Sequence, residues 1–313
     1  MSGALSMLIA LGLDAAIGWP DGLYRRIGHP VTWLGHLIAA LDRRLNRETA
    51  TGPARFRAGL ATTLIVIALA TGAALALCRV LPGGWAGTVL AGVLAWPLVA
   101  ARSMYAHVSA VSRPLRVGDL SGARRAVSMI VGRDPQCLDA AGVARAALES
   151  LAENTSDGIV APLFWGAFLG LPGIAAYKAI NTLDSMIGHR TTHHEQFGKA
   201  AARIDDIANL IPARLTGLMF ALLCAQPLAA LHCMARDAGH HRSPNAGWPE
   251  AALAGALQLR LSGPRAYGDR ISQEPWINGA APDPRPDDLG RGLGLYLRTM
   301  VALACCLGLL ALL

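Results

Sequence analysis

Three acidic clusters carry the residue types and spacing of a divalent-cation site. Glu149-Ser-Leu-Ala-Glu153-Asn154-Thr-Ser-Asp157 sets two carboxylates four positions apart on one helix face, with a third at most a turn further. Like charges stacked in this way repel, a cation between them removes the repulsion, and hard oxygen ligands suit Mg²⁺. Asn181-Thr-Leu-Asp184-Ser185 places Asn and Asp three apart, and Asp205-Asp206-Ile-Ala-Asn209 puts Asp205 and Asn209 on one face. Arg190, Arg203 and Arg214 follow closely, and the guanidinium fork matches phosphate oxygens. Lys178, one turn before Asn181, either meets a phosphate as a point charge or snorkels to a membrane interface. Each cluster alone is matched by an ordinary solvated helix end. The three together, crowded against apolar runs, read as a Mg²⁺-phosphate site, because carboxylates at membrane depth are costly and usually functional.

Other chemistries find no support. There is no GxxxxGK[ST] phosphate loop, and no Ser-His-Asp or Cys-His arrangement can be argued. His193-His194 and His240-His241 are adjacent pairs that do not share a helix face, so they read as loop residues. The six cysteines form no CxxC pair and five lie in or beside apolar runs; they read as buried thiols, neither metal ligands nor disulfides. Basic residues are spread through loops without an aromatic stacking platform, which argues against a nucleic-acid partner. Arginine supplies 26 of the 28 basic residues, a bias that a GC-rich genome also produces.

The elements that must position the acids are membrane helices. Of 313 residues 53% are hydrophobic and 16% charged, with a mean hydropathy of +0.38, against about 25% charged in soluble proteins. Charge-free runs cover Ala58 to Cys78, Val80 to Ala101 and Gly158 to Tyr177, and Leu215 to Ala235 is nearly as clean. Each approaches the roughly 20 apolar residues that a span requires. Ser2 to Ile17 lacks a basic start and holds Asp14, so it reads as a retained membrane segment rather than a cleaved signal. Leu293 to Leu313 reads as the last segment. Arginines crowd Pro20 to Arg57 and Arg102 to Asp157, which marks both as cytoplasmic and puts the N-terminus outside. The centre of the Gly158 run, Leu169-Gly170-Leu171-Pro172-Gly173, breaks helices. A kinked single crossing would separate the polar groups on its two flanks. The expectation adopted is two half-helices, re-entrant or packed inside the bundle, which bring both flanks to one site. Between Arg236 and Arg291 the chain is polar, with an apolar patch at Ala251 to Leu259 too short to span; helix parity places it outside, yet it is basic. No internal repeat is visible. The expected fold is all-α, one membrane-embedded domain over residues 1–313 with about five to seven membrane segments.

The quoted clusters extend into longer stretches that resemble one family. Glu149 to Trp165 (ESLAENTSDGIVAPLFW), Tyr177 to Arg190 (YKAINTLDSMIGHR) and Ala202 to Arg214 (ARIDDIANLIPAR) are similar to adenosylcobinamide-phosphate synthases, integral membrane proteins of cobalamin biosynthesis. So are His29-Pro30-Val31, Ile130 to Asp134 and Ser243 to Glu250, so that six motifs in the family's order run from about Asp14 to about Asp288. The resemblance implies a multi-pass protein of the bacterial cytoplasmic (inner) membrane. It implies ATP-dependent amide formation between adenosylcobyric acid, a corrinoid, and aminopropanol phosphate or aminopropanol, with Mg²⁺ neutralising the phosphates. Under this reading Glu149, Glu153, Asp157, Asp184 and Asp205 are the candidate catalytic acids, the last four also as metal ligands. Asn154, Asn181 and Asn209 would orient, Arg133, Lys178, Arg190 and Arg214 would contact phosphate or carboxylate, and Ser185 and His29 complete the substrate- and phosphate-binding set. Association with other late cobalamin-pathway enzymes, or between copies of the chain, belongs to the same expectation.

Two rivals stand beside it. A Mg²⁺-dependent prenyltransferase-like membrane enzyme would use the Asn181 and Asp205 clusters for a diphosphate, but wants a more uniformly helical bundle of about eight or nine spans. A corrinoid or anion transporter would use the break at Pro172, but would need paired repeats.

Overall fold

The computed structural model describes residues 2–132, 134–189, 191–267 and 270–313. Its helices are α1 (Gly3–Ile17), α2 (Asp21–Ile27), α3 (Pro30–Leu45), α4 (Gly52–Val80), α5 (Gly84–Ala95), α6 (Ala101–Arg116), α7 (Leu120–Val127), α8 (Ala140–Thr155), α9 (Ala161–Ile187), α10 (Lys199–Leu223), α11 (Pro227–Asp237), α12 (Gly247–Leu257) and α13 (Asp288–Leu312). Four short strands, β1 (Leu261–Ser262), β2 (Arg265–Tyr267), β3 (Arg270–Ser272) and β4 (Trp276–Ile277), pair antiparallel as β1 with β4 and β2 with β3. Five helical segments among the described residues are long and apolar enough to cross a membrane, or six if α1 and the α2–α3 segment, bent by 111°, form one broken span. The protein is a polytopic helical membrane protein. The chain divides into two compact units: Met1–Ala100, Ala161–Asn209 and Ala304–Leu313 form unit 1, and Ala101–Val160 with Leu210–Leu303 form unit 2.

In unit 1, α4 shows the polarity that lipid imposes. Leu64, Ile65, Leu69, Leu75 and Leu77 are exposed, whereas Gly59, Thr62, Thr63, Val66 and Ala74 are buried. Lipid solvates leucine as well as a protein core does, so the interior face takes small residues that let backbones approach. The buried hydroxyl of Thr63 donates back to the Gly59 carbonyl at 2.8 Å. Val66 then packs with Ile38, Ala179, Leu183, Ile187, Phe197 and Ala201, which joins α3, α4, α9 and α10 around one core.

Helix α9 breaks where the Gly-Leu-Pro-Gly sequence predicts. Gly170 takes φ 65° and ψ −155°, a conformation closed to residues with a Cβ. The limbs fold back on each other: a Cβ on Gly173 would lie 2.3 Å from the Trp165 carbonyl oxygen, and one on Gly166 3.2 Å from Ile174 Cβ. Eight residues of unbroken helix would hold Trp165 and Gly173 about 12 Å apart. The ends meet as well, since Ala161, Tyr177 and Ala208 share a buried cluster and the Trp165 indole donates to the Ala208 carbonyl at 3.0 Å. Within unit 1 the two limbs after Ala161 are therefore folded together, as expected of two half-helices.

Two sequence readings need correction. The apolar run Leu215 to Ala235 is not one segment. Helix α10 stops at Leu223 and α11 starts at Pro227, whose missing N–H cannot continue a helix, so the candidate span is Lys199–Leu223. Nor are the cysteines uniformly buried: all six are free, but Cys137, Cys305 and Cys306 are exposed and only Cys233 is buried. Cys305 and Cys306 lie on the span α13, where surrounding lipid satisfies an apolar thiol without a protein cover. Burial pushes the Cys233 thiol up to about 12, so it stays protonated.

Unit 2 is organised by α12, which is buried nearly all round and packs against α11 and α8. A short helix buried on every face is a core helix, not a span. The strands beside it are pinned by polar side chains. Trp276 lies between Arg145 and Arg260, 4.7 and 4.4 Å from its ring centroid, and both guanidinium groups bind Asp283. The Asp237 carboxylate accepts from Arg236 and from the Asn278 backbone, each at 2.7 Å, and Asn278 occupies the left-handed region at φ 53°.

The Arg260 bond to Asp283 and the Arg236 bond to Asp237 hold both carboxyls below the usual range. A folded-state pKa below the unfolded value gives stability that is present above about pH 4 and lost as pH falls through the folded value. The thermal midpoint in detergent is expected to drop between pH 5 and pH 3, and Asp237→Asn with Asp283→Asn to flatten that drop (measured by differential scanning fluorimetry). An unchanged pH slope in the double variant would show that these pairs do not hold unit 2.

Candidate functional site

The fold-back of α9 presents Tyr177, Lys178, Asn181 and Asp184 on successive turns of its second limb, and α10 contributes Asp205, Asp206 and Asn209. Tyr177 and Asn209 are each 1% exposed and Asp205 is 7% exposed. The Tyr177 hydroxyl donates to Asn209 Oδ1 at 2.9 Å, which turns the amide so that Nδ2 donates to Asp205 Oδ2 at 3.0 Å. Asp205 Oδ1 is buried without a hydrogen-bond partner among the described residues. An ionised oxygen so placed is costly unless a cation or proton meets it. Asp184 and Asp206 lie close enough for their charges to act on Asp205, and the Asn181 side chain is within reach of the same carboxyl. His189 lies beside Asp184. The set of carboxylate and amide oxygens fits a hard divalent cation.

The remaining unit 1 residues surround this set. Ser185 is exposed and its hydroxyl donates to the Asn181 carbonyl at 2.8 Å. His29 caps α3, accepting from the Val31 N–H at 3.2 Å through Nδ1, with its ring against Trp19 and its charge within range of Lys178. Arg190 and Arg133 lie outside the described residues.

In unit 2, α8 carries Glu149, Glu153 and Asn154 with contrasting exposure. Glu149 is 6% exposed, and its Oε1 accepts the Ser262 backbone N–H at 2.8 Å, a tie to β1. Glu153 and Asn154 are exposed, and the Asn154 amide donates to the Ser150 carbonyl at 3.0 Å. The Ser150 hydroxyl in turn holds the Ile130 carbonyl at 2.8 Å. Half-buried Asp157 sits in a π-helical turn, Ser156–Val160, a geometry frequent at functional sites. Arg214 stacks on Trp248 at 4.5 Å and donates to Asn245 Oδ1 at 3.1 Å, fastening the Ser243–Glu250 stretch. His241 and Glu250 face each other in the interior with Nε2 and Oε1 3.7 Å apart.

Sequence reasoning missed two features. Tyr177 stands in the sequence at the end of an apolar run, which gives it no role at the site. Its hydroxyl partner lies 32 positions away, and local spacing does not show it. His193 and His194 do lie in the turn after α9, as expected of loop residues, but they converge there on Asp42. The pairing spans 152 positions for His194, so only the fold reveals it.

Comparison with known proteins identifies the family. The family model described as CobD/Cbib protein matches residues 7–296. The cobalamin biosynthesis protein CobD of Rhodobacter capsulatus is 63% identical over 100% of this chain and 99% of its own length. Proteins of the same name from Sinorhizobium fredii and Brucella suis are 45% and 47% identical, over 98% and 93% of this chain and 97% and 92% of theirs. No solved structure matches. With a match over nearly the whole length and the motifs in place, the chain belongs to the CobD/CbiB family of cobalamin-biosynthesis proteins, the adenosylcobinamide-phosphate synthase family.

Proposed function

We propose that this protein makes the amide bond of adenosylcobinamide phosphate, joining the propionate carboxyl of adenosylcobyric acid to the amine of aminopropanol phosphate with ATP, at the bacterial cytoplasmic membrane. The observation that carries the reading is Asp205: a buried carboxylate, oriented through Asn209 by Tyr177, with Oδ1 lacking a hydrogen-bond partner among the described residues. Asp184 and Asp205 would hold Mg²⁺, with Asn181 and Asn209 positioning them. The ion supplies charge neutralisation for the nucleotide phosphates when bound.

Activation breaks the bond between the γ-phosphorus and its bridging oxygen in ATP and forms an acyl phosphate, with ADP leaving. The unprotonated amine then attacks the acyl carbon and expels inorganic phosphate. The amine arrives as an ammonium, so a carboxylate of the acidic set takes its proton. In unit 1, Lys178 and His29 supply positive or hydrogen-bonding character toward phosphate. In unit 2, Glu153 and Asp157 are the further acids proposed for metal or base roles, and Arg214 the guanidinium. Glu149, whose Oε1 accepts the Ser262 N–H, is proposed as the further catalytic acid of the same set.

Purified protein given ATP, Mg²⁺, adenosylcobyric acid and the amine tests this by mass spectrometry. The expected result is the amide product and ADP in equal amounts, with phosphorylated aminopropanol the better acceptor than the free alcohol. Nucleotide left intact, or a corrinoid recovered unchanged, would remove the proposal.

A further inference from the structure

Asp42 near the end of α3 and His193 and His194 in the turn before α10 bring three ligand atoms within 4.8 Å of one another. His194 Nε2 lies 3.3 Å and His193 Nε2 3.5 Å from the same oxygen, Asp42 Oδ2. These separations exceed the roughly 2.7–2.9 Å of a charge-assisted hydrogen bond. They match the edges, about 3.3–3.6 Å, of a tetrahedron whose metal–ligand bonds are about 2.0–2.2 Å. The two rings meet edge to face, 73° apart, so their nitrogens approach from different directions.

The groups behind these three atoms are also those that a metal site needs. Asn46 donates to Asp42 Oδ1 at 2.9 Å, which leaves Oδ2 for the histidines, and also to the His193 carbonyl at 2.9 Å. Arg55 binds that carbonyl and Asn46 Oδ1, so the turn is clamped from the backbone side. On the far side of each ring, His193 Nδ1 lies 3.5 Å from Glu48 Oε1 and His194 Nδ1 3.5 Å from Thr191 Oγ1. Metal-bound imidazoles characteristically have such an outer partner, which sets the tautomer.

We propose that Asp42, His193 and His194 form a site for a divalent transition-metal ion of the Zn²⁺ class, separate from the acidic set of Asp184 and Asp205. Two imidazole nitrogens and one carboxylate oxygen favour Zn²⁺ or Co²⁺ over Mg²⁺ and leave a fourth position for water. The ion fastens the turn joining α9 to α10 onto α3, so it holds the adjoining ends of the two helices that carry Asp184 and Asp205. The inference stands on this geometry whatever reaction the acids perform.

The test uses full-length protein in detergent, carrying no polyhistidine tag, stripped with a chelator and titrated with Co²⁺. The expected result is a visible absorption band of low-coordinate Co²⁺ that saturates near about one equivalent. Zn²⁺ should bleach the band, and Mg²⁺ should leave it untouched. Zn²⁺ should also raise the thermal midpoint of the stripped protein. His194→Ala and the isosteric Asp42→Asn should both lose the band, and Asn46→Ala should weaken Co²⁺ binding about 10- to 100-fold. A band that survives in Asp42→Asn, a band displaced by Mg²⁺, or no band in the wild-type protein would overturn the proposal. The last result would make the cluster an ion pair only.

Discussion

Replacing Asp205 by Asn should reduce amide formation on the order of 10³-fold, within the range spanned by catalytic carboxylates, while the protein stays folded. The substitution keeps the shape and the link to Asn209 but removes the charge of a carboxylate whose Oδ1 has no hydrogen-bond partner among the described residues. Asp184→Asn should act in the same direction, because the Asp184 charge lies near enough to act on Asp205 and the two would share one cation. Tyr177→Phe makes a contrasting case. Tyr177 acts on Asp205 through Asn209, so its loss should raise the Mg²⁺ concentration needed for half-maximal rate more than it lowers the rate at saturation. Initial rates over a Mg²⁺ series, with monodispersity checked by gel filtration, separate the cases. Asp205→Asn working at the wild-type rate would remove this carboxylate from the mechanism.

The second large effect concerns the fold-back of α9. Gly173→Ala places a Cβ 2.3 Å from the Trp165 carbonyl oxygen and 2.5 Å from Leu169 Cβ. Backbone at that distance has no rotamer with which to yield, so the limbs must separate. Overpacking of this kind costs about 1–3 kcal/mol and occasionally more. The substitution should lower the thermal midpoint and also lower activity, since the second limb carries Asn181 and Asp184. Pro172→Ala is the milder control: Gly170 already supplies the bend through its φ of 65°, and a proline there chiefly stiffens it. Equal midpoints for Gly173→Ala and wild-type protein would show that the limbs do not pack as closely as described.

What the sequence made legible follows from the range of each signal. Membrane helices announce themselves by composition over twenty residues, so α4 was readable from its charge-free run and α13 from an apolar run with only Arg298 near its start. The break in α9 was readable because glycine and proline act locally on the backbone, and Gly170 adopts a conformation reserved for glycine. Asp205 with Asn209 was readable because residues four apart share a helix face. The same window misjudged Leu215 to Ala235: average hydropathy is blind to the single missing N–H of Pro227. It also assumed that apolar thiols must be covered by protein, whereas Cys305 and Cys306 sit exposed on a span. Partners far apart in the chain left no trace in spacing. The Tyr177 hydroxyl and the convergence of Asp42 with His193 and His194 appear only once α3, α9 and α10 are packed. Unit 2 contributes a different lesson: the apolar patch at Ala251 to Leu259 was too short for a bilayer, and α12 is indeed a soluble-style core helix.

Oxygen transfer tests the proposed chemistry most directly. Adenosylcobyric acid labelled with ¹⁸O in the reacting carboxyl is converted by the purified protein with ATP, Mg²⁺ and aminopropanol phosphate, and the released phosphate is analysed by mass spectrometry. Activation as an acyl phosphate predicts that each amide formed delivers one labelled oxygen to inorganic phosphate, and that Asp205→Asn slows label transfer and amide formation together. Phosphate released without label, or label transferred by Asp205→Asn at the wild-type rate, would contradict the account.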